Sequence, residues 1–367
     1  MHAYRFQEES LSRRVLCFIG DTIYFRCQKT TFCEDILDEV SETFPRPDNT
    51  AQILPRTNHR YAAVDAFGDT LAVYTRRLLT NQDDVLSAMA GMIRRFSSML
   101  KCRFLEGLPT AIFDNFILFH RQEGHIRRRP TFPSYSWTGW IGPIECPEIV
   151  NLNLWLRDRT WIIWYKRRRN RMPKLVWDPE TNEPSDNLPR YRTRDTFNPQ
   201  VSLPFSVTKT TPIYDIELEG HLPPYPLLQF WTLVVYYDLG HIDVLNGEGA
   251  LFDEQGEICG FAVLDGYEEN PFFMNNEEPY ECLVLSETEK MWMEKKWRGA
   301  DAVTRELGSH ELGGVYDREN EDWIFYNVML VQRDRDIVTR CGLGVIYQKA
   351  IGQSFEPGPC WNEVFLA

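Results

Sequence analysis

The run Leu228-Gln229-Phe230-Trp231-Thr232-Leu233-Val234-Val235-Tyr236-Tyr237 decides the fold class. Interrupted only by Gln229 and Thr232, its otherwise β-branched, aromatic and aliphatic residues make a strand-length run. The stretch is too short for a bilayer span, which needs about 20 apolar residues. Working outward, further strand-length runs follow at Ala250 to Phe252, Ile258 to Leu264, Tyr280 to Leu285, Trp323 to Gln332 and Val338 to Tyr347. Turn residues separate them, which predicts an antiparallel sandwich or an open barrel. Upstream, Thr160 to Tyr165 and Leu175 to Trp177 flank the basic run Lys166-Arg167-Arg168-Arg169-Asn170-Arg171, which places that run on a turn. Gly342-Leu343-Gly344 lacks the third glycine and following helix of a phosphate loop and reads as a strand bulge.

Between Asn81 and His120 the text is helical. Val85, Met89, Met92, Phe96 and Met99 recur at spacings of 4, 3, 4 and 3 and predict a helix over Asn81 to Lys101, capped by Asn81 or Asp83. Pro109 to His120 predicts a second, shorter helix, joined to the first through Gly107-Leu108-Pro109. Nearer the start, Arg5 to Leu11 is helix-compatible, and Val15 to Ile19 and Ile23 to Arg26 read as strands around Gly20-Asp21. The predicted class is therefore α+β: a helical hairpin plus a predominantly antiparallel β module. The expected divisions are 1–60, 61–130 and 131–367, with polar loops at 28–60 and 178–200.

The chain has 367 residues, and its net charge of −13 argues against nucleic acid as the default partner. Local basic clusters remain, at Arg127 to Arg129, Lys166 to Arg171, and Arg190-Tyr191-Arg192 with Arg194. They supply an alternative, single-strand binding with interleaved aromatics. Nine cysteines, an odd number with no CxxC pair, suggest buried thiols in a reducing compartment and a cytoplasmic location. No signal peptide is visible, and no membrane anchor is expected. The seven histidines stand apart, there is no GxSxG elbow, and the glutamates around 266–295 lack the alternation of a calcium loop. No catalytic set, metal or cofactor is expected. Trp137, Trp140, Trp155, Trp161 and Trp164 read as core fillers.

Two blocks carry a family resemblance. Ala3-Tyr4-Arg5-Phe6-Gln7-Glu8, followed by Leu11-Ser12-Arg13-Arg14-Val15-Leu16, resembles the last block of the fungal heterokaryon-incompatibility (HET) domain, with Tyr4 and Arg5 in place of its usual Trp and Thr. Phe132-Pro133-Ser134-Tyr135-Ser136-Trp137-Thr138-Gly139-Trp140 resembles the Phe-Pro-Ser-Trp-Ser-Trp-Ala-Gly-Trp signature of these proteins. Tyr74 to Thr80, Asp84 to Gly91, Tyr326 to Val331 and Trp361 to Val364 also look like segments of that family. The resemblance implies non-self recognition that triggers programmed cell death after fusion of unlike fungal cells. Its motif residues here are Phe6, Gln7, Glu8, Arg13, Arg14, Ser134, Ser136, Trp137, Gly139 and Trp140. It further implies a TIR-like effector domain, some members of which cleave NAD. Only the last block of that domain is recognisable, so a truncated gene model or a degenerate paralogue is expected. Action through a protein partner or homo-oligomer is then expected, with NAD cleavage completed by a partner as an alternative.

Overall fold

A computed structural model describes residues 6, 8, 10–19, 22–27, 31–34, 60–122, 124–149, 151–168, 171–177, 209–214, 217–218, 222–243, 247–267, 278–288 and 324–367. The chain divides into two compact units, residues 1–101 and 102–367. The loop 178–200 and the cluster Arg190 to Arg194 lie outside the described residues, as do Gln7 and His2, His59, His221 and His310.

In the first unit, residues 6, 8, 10 and 11 are helical, as their sequence suggests. A three-stranded antiparallel sheet follows: β1 (Arg14–Ile19), β2 (Thr22–Cys27) and β3 (Thr31–Cys33). The main helices are α1 (Arg60–Tyr74) and α2 (Ala90–Leu100), which contact each other. Sequence periodicity placed the start of α2 nine residues early. Gln82–Asp84 and Ser87–Met89 are 3-10 turns, the first capped by Asn81, whose side chain accepts from the Asp83 amide at 3.3 Å. Val85, Met89, Met92 and Phe96 are buried as the stripe requires; at its end Leu100 is buried, while Met99 is only half-buried. Lys101 ends the helix in the left-handed region at φ 51°. The Phe67 ring meets Phe96 edge-on at 5.1 Å, so α1 supplies the other half of this core.

The expected helical hairpin of 81–101 with 109–120 is replaced by other structure in its second arm. Phe104–Leu105 and Leu108–Pro109 form a minimal β-hairpin, Thr110–Ile112 a 3-10 turn and α3 (Phe113–Phe116) a single helical turn. The physical reason is burial on every side. Thr110 to Arg121 is buried throughout, so its apolar residues mark a core segment rather than one face of a helix.

The second unit is dominated by strands. After α4 (Leu152–Asp158) come β4 (Tyr165–Arg167), β5 (Lys174–Leu175), β6 (Leu227–Asp243), β7 (Glu248–Phe252), β8 (Ile258–Leu264), β9 (Tyr280–Glu287), β10 (Phe325–Asp334), β11 (Ile337–Tyr347) and β12 (Cys360–Leu366). They form one nine-stranded sheet, antiparallel except for a short parallel contact of β11 with β12. The pairing closes on itself. β6 meets β9 at one edge, and β12 and β7 successively at the other, completing the circuit β6-β9-β10-β11-β8-β7. The module is thus a closed barrel with a β4–β5 extension, where the sequence left a sandwich or an open barrel. Five of the six strand runs read from Leu228 onward are strands over their whole length, and Trp323 to Gln332 is strand from Phe325. Gly342 and Gly344 lie where β11 runs close to β8: a Cβ on Gly342 would meet the Val263 carbonyl oxygen at 2.7 Å. The register skips Cys341 immediately before them, which is the bulge.

Candidate functional site

The residues carrying the second block of the resemblance come together around one tight turn. Leu105 pairs with Leu108, leaving Glu106 and Gly107 as a two-residue loop with φ of 47° and 87°. Positive φ at both positions is what the tightest hairpin loops demand. Its two carbonyls point at the Ser136 to Thr138 turn. The Ser136 hydroxyl donates to the Glu106 oxygen, Thr138 Oγ1 donates to it at 3.3 Å, and Trp137 Nε1 donates to the Gly107 oxygen at 2.9 Å. Ser136 also caps its own turn by accepting from the Thr138 amide at 3.1 Å.

The rest of the block anchors to the barrel. Ser134 Oγ donates to the Ala367 carbonyl and accepts from the Arg340 amide at 2.9 Å. Tyr135 donates its hydroxyl to the Pro226 carbonyl at 2.8 Å, and Trp140 Nε1 donates to the Ser134 carbonyl at 2.8 Å. Gly139 packs against the Pro133 carbonyl, where a Cβ would not fit. Arg128 Nη1 donates to the Gly139 oxygen at 2.8 Å and lies over the Trp140 ring; buried Arg129 donates to the Thr138 and Trp140 carbonyls. Every side chain from Ser134 to Trp140 is buried. Ser134 and Ser136 therefore hold backbone groups that would otherwise be orphaned, and neither presents a free hydroxyl to a substrate.

Beside this block sits an ion pair the sequence reading missed. Arg340 and Asp265 are both buried, with Nε donating to Oδ2 at 2.7 Å. The same guanidinium donates to the carbonyls of Ile117 and Phe119 at 3.1 and 2.6 Å and stacks 3.9 Å from the Phe119 ring centre. The available signal was a lone arginine inside the apolar run Ile337 to Tyr347.

Burial sets the protonation of the neighbouring groups. It pushes the Glu106 carboxyl up, against the opposing field of Arg168, and pushes the Tyr135 hydroxyl well up. It lowers the Arg128 guanidinium, against the favourable field and hydrogen bond of Tyr225. Burial drives the Cys341 thiol up to about 12 and pushes those of Cys259 and Cys282 up as well. Such thiols are poor nucleophiles.

Of the histidines, His120 is buried with Nε2 2.7 Å from Glu145 Oε1 and Nδ1 3.3 Å from the Leu118 oxygen. With both nitrogens engaged, it has none to offer a substrate. His125 is exposed and meets the Tyr267 ring edge-on. Trp155, Trp161 and Trp164 are buried; Trp164 donates to Asp114 at 3.0 Å and packs on Phe113 and Phe230. Among the described residues no group of three or more His, Cys, Asp or Glu could hold a metal, and no helix is long and apolar enough to cross a membrane.

The first-block residues lie in the other unit. Phe6 is fully buried between the Tyr74 ring, 5.6 Å away, and the Arg77 guanidinium, 4.9 Å from its centre. Glu8 is exposed and lines a surface depression of about 440 Å³ with Leu11, Ser12, Ala90, Gly91 and Arg94. Arg13 and Arg14 are exposed. In the sheet of this unit, Leu16, Phe18, Ile23, Phe25 and Phe32 share one face by register. Phe18 is 73% exposed, Leu16 59% and Phe32 40%.

No family model, no curated protein and no solved structure matches the chain.

Proposed function

We propose that the chain is a HET-family protein of fungal non-self recognition that acts through protein contact in the cell-death response. The observation that carries the interaction reading is the apolar face of Leu16, Phe18 and Phe32, which directly follows the Phe6–Glu8 motif. Aromatic side chains left in water on a sheet cost free energy that a partner's apolar surface recovers. The buried Ser134–Trp140 block supports the rest of the reading as the scaffold of its unit.

The test is expression of the chain, and separately of Phe18→Glu, in one of two unlike fungal strains before fusion. Death of fused cells with the native chain and its loss with Phe18→Glu, at equal protein level, is expected. Survival of fused cells with the native chain overturns the family reading. Death unchanged by Phe18→Glu overturns the role of this face. Light scattering of the purified chain separates a homo-oligomer from a distinct partner.

The exposed Glu8 carboxylate, the motif residue beside this open depression, carries a second reading, NAD cleavage completed by a partner. Full retention of NAD on incubation with concentrated protein and its partner removes it.

A further inference from the structure

The three-stranded sheet of the first unit has two unlike edges. At one, β3 is three residues long. At the other, β1 is six residues long, keeps one unbroken register with β2, and contains no proline, glycine, lysine or bulge. Shortness, lysine, proline and bulges are the usual protections of a sheet edge, so β3 is protected and β1 is not. Among the described residues no strand pairs with the outer side of β1.

What that side presents follows from Ile23. Its amide donates to the Glu34 carboxylate at 2.7 Å, and its carbonyl accepts from the Glu34 amide at 3.0 Å. Both groups therefore point toward β3 and away from β1. The opposed residues Phe18 and Ile23 are then a non-hydrogen-bonded pair, and by alternation so are Leu16 with Phe25 and Arg14 with Cys27. Arg14, Leu16 and Phe18 thus direct their N–H and C=O groups outward, three donors and three acceptors along one line. Their side chains share one face of the sheet, and all three are exposed.

We propose that a second copy of this chain pairs antiparallel along β1, with the two-fold axis at Leu16. This rests on the contact reading above and names its partner, but it places the contact at the edge of the sheet. In this register Leu16 stands opposite Leu16 of the second copy and Arg14 opposite Phe18, so every outward amide meets a carbonyl. The side chains match as well. Leucine meets leucine, guanidinium meets aromatic ring, and on the opposite face Val15 meets Cys17. No like charges are opposed, because the two Arg14 residues are four strand positions apart, about 14 Å, beyond the screening length. A foreign strand would have to bring its own match for Arg14, whereas this chain carries one in Phe18.

Sedimentation equilibrium of the full chain over a concentration series tests it. The mass is expected to rise to that of two chains. Leu16→Pro removes an outward amide and leaves the β1–β2 ladder untouched. Symmetry doubles the loss, so the dimer Kd should rise at least about ten-fold. Leu16→Lys keeps the backbone amide, opposes two like charges on the axis, and should weaken the dimer similarly. Arg14→Ala should raise Kd about 5- to 30-fold. Phe32→Glu, on the same face but on β3, should leave Kd within about two-fold. A single-chain mass at every concentration overturns the proposal, while the fused-cell assay still decides the contact reading by itself. A dimer broken by Phe32→Glu and indifferent to both Leu16 variants overturns edge pairing in favour of face-to-face packing. A dimer indifferent to Arg14→Ala overturns the register.

Discussion

Trp137 and Gly107 fit each other twice over: the indole nitrogen donates to the Gly107 carbonyl at 2.9 Å, and the same ring fills the space where a Cβ at Gly107 would sit, 2.8 Å away. Hydrogen bond and packing are made by one side chain on one residue, so neither can change alone. Gly107 also holds φ at 87°, a region side chains disfavour.

Gly107→Ala therefore combines backbone strain with overpacking and should cost about 2–4 kcal/mol. Urea unfolding followed by tryptophan fluorescence checks this. A loss below about 0.5 kcal/mol, the size of a neutral surface change, would mean the turn is not held as described.

Arg340 predicts a different signature. Removing one member of a buried ion pair leaves the other uncompensated, so Arg340→Met should cost about 3–5 kcal/mol. Adding Asp265→Asn should recover part of that loss, because the stranded carboxylate disappears. The carbonyls of Ile117 and Phe119 stay without their donor, so recovery is incomplete. A double variant no more stable than Arg340→Met would show that the carbonyl contacts, not the carboxylate, carry the effect.

The first unit offers an internal contrast. Phe96 is buried against Phe67, and Phe18 is largely exposed. Phe96→Ala should cost about 3–5 kcal/mol, and Phe18→Ala less than about 0.5 kcal/mol. Chemical denaturation of the two variants side by side decides it. Equal losses would place Phe18 in a packed interface.

What the sequence disclosed follows from how local each signal is. Ile258 to Leu264 was read to the residue because its apolar run ends at turn residues on both sides. Barrel closure was not legible, since the pairing of Val234 with Leu283 depends on chain geometry and not on either run. The helix over Arg60–Tyr74 was missed although Ala63, Phe67, Leu71 and Tyr74 recur at helical spacing and are all buried; two of the four are small or polar-tipped, and Gly68 interrupts them. Pro109 to His120 misled in the opposite way, its apolar residues marking total burial and not one helical face. For the site, the Ser134–Trp140 block was legible as a local motif, but its partners Glu106, Gly107 and Arg340 lie 30 to 206 residues away, and no spacing rule connects them.

Glu106 gives the molecule a pH dependence whose sign can be worked out. Its carboxyl is raised above the ordinary value of 4.5, chiefly by burial and despite Arg168. A folded-state value above the unfolded one means the folded protein holds this proton more tightly. The resulting stabilisation is complete below the unfolded value and is lost as pH rises through the folded one. Glu106→Gln removes this titrating carboxyl while keeping the backbone carbonyl that Ser136 and Thr138 hold. Glu106→Gln should be more stable than the native chain at about pH 7 and indistinguishable from it at about pH 3.5, by urea unfolding at both. Arg168→Met should act in reverse, because losing the favourable field raises the Glu106 carboxyl further and deepens the neutral-pH penalty. If Glu106→Gln is instead less stable at neutral pH than at acid pH, relative to the native chain, the carboxylate is held by Arg168 more strongly than burial opposes it, and the turn is braced by charge.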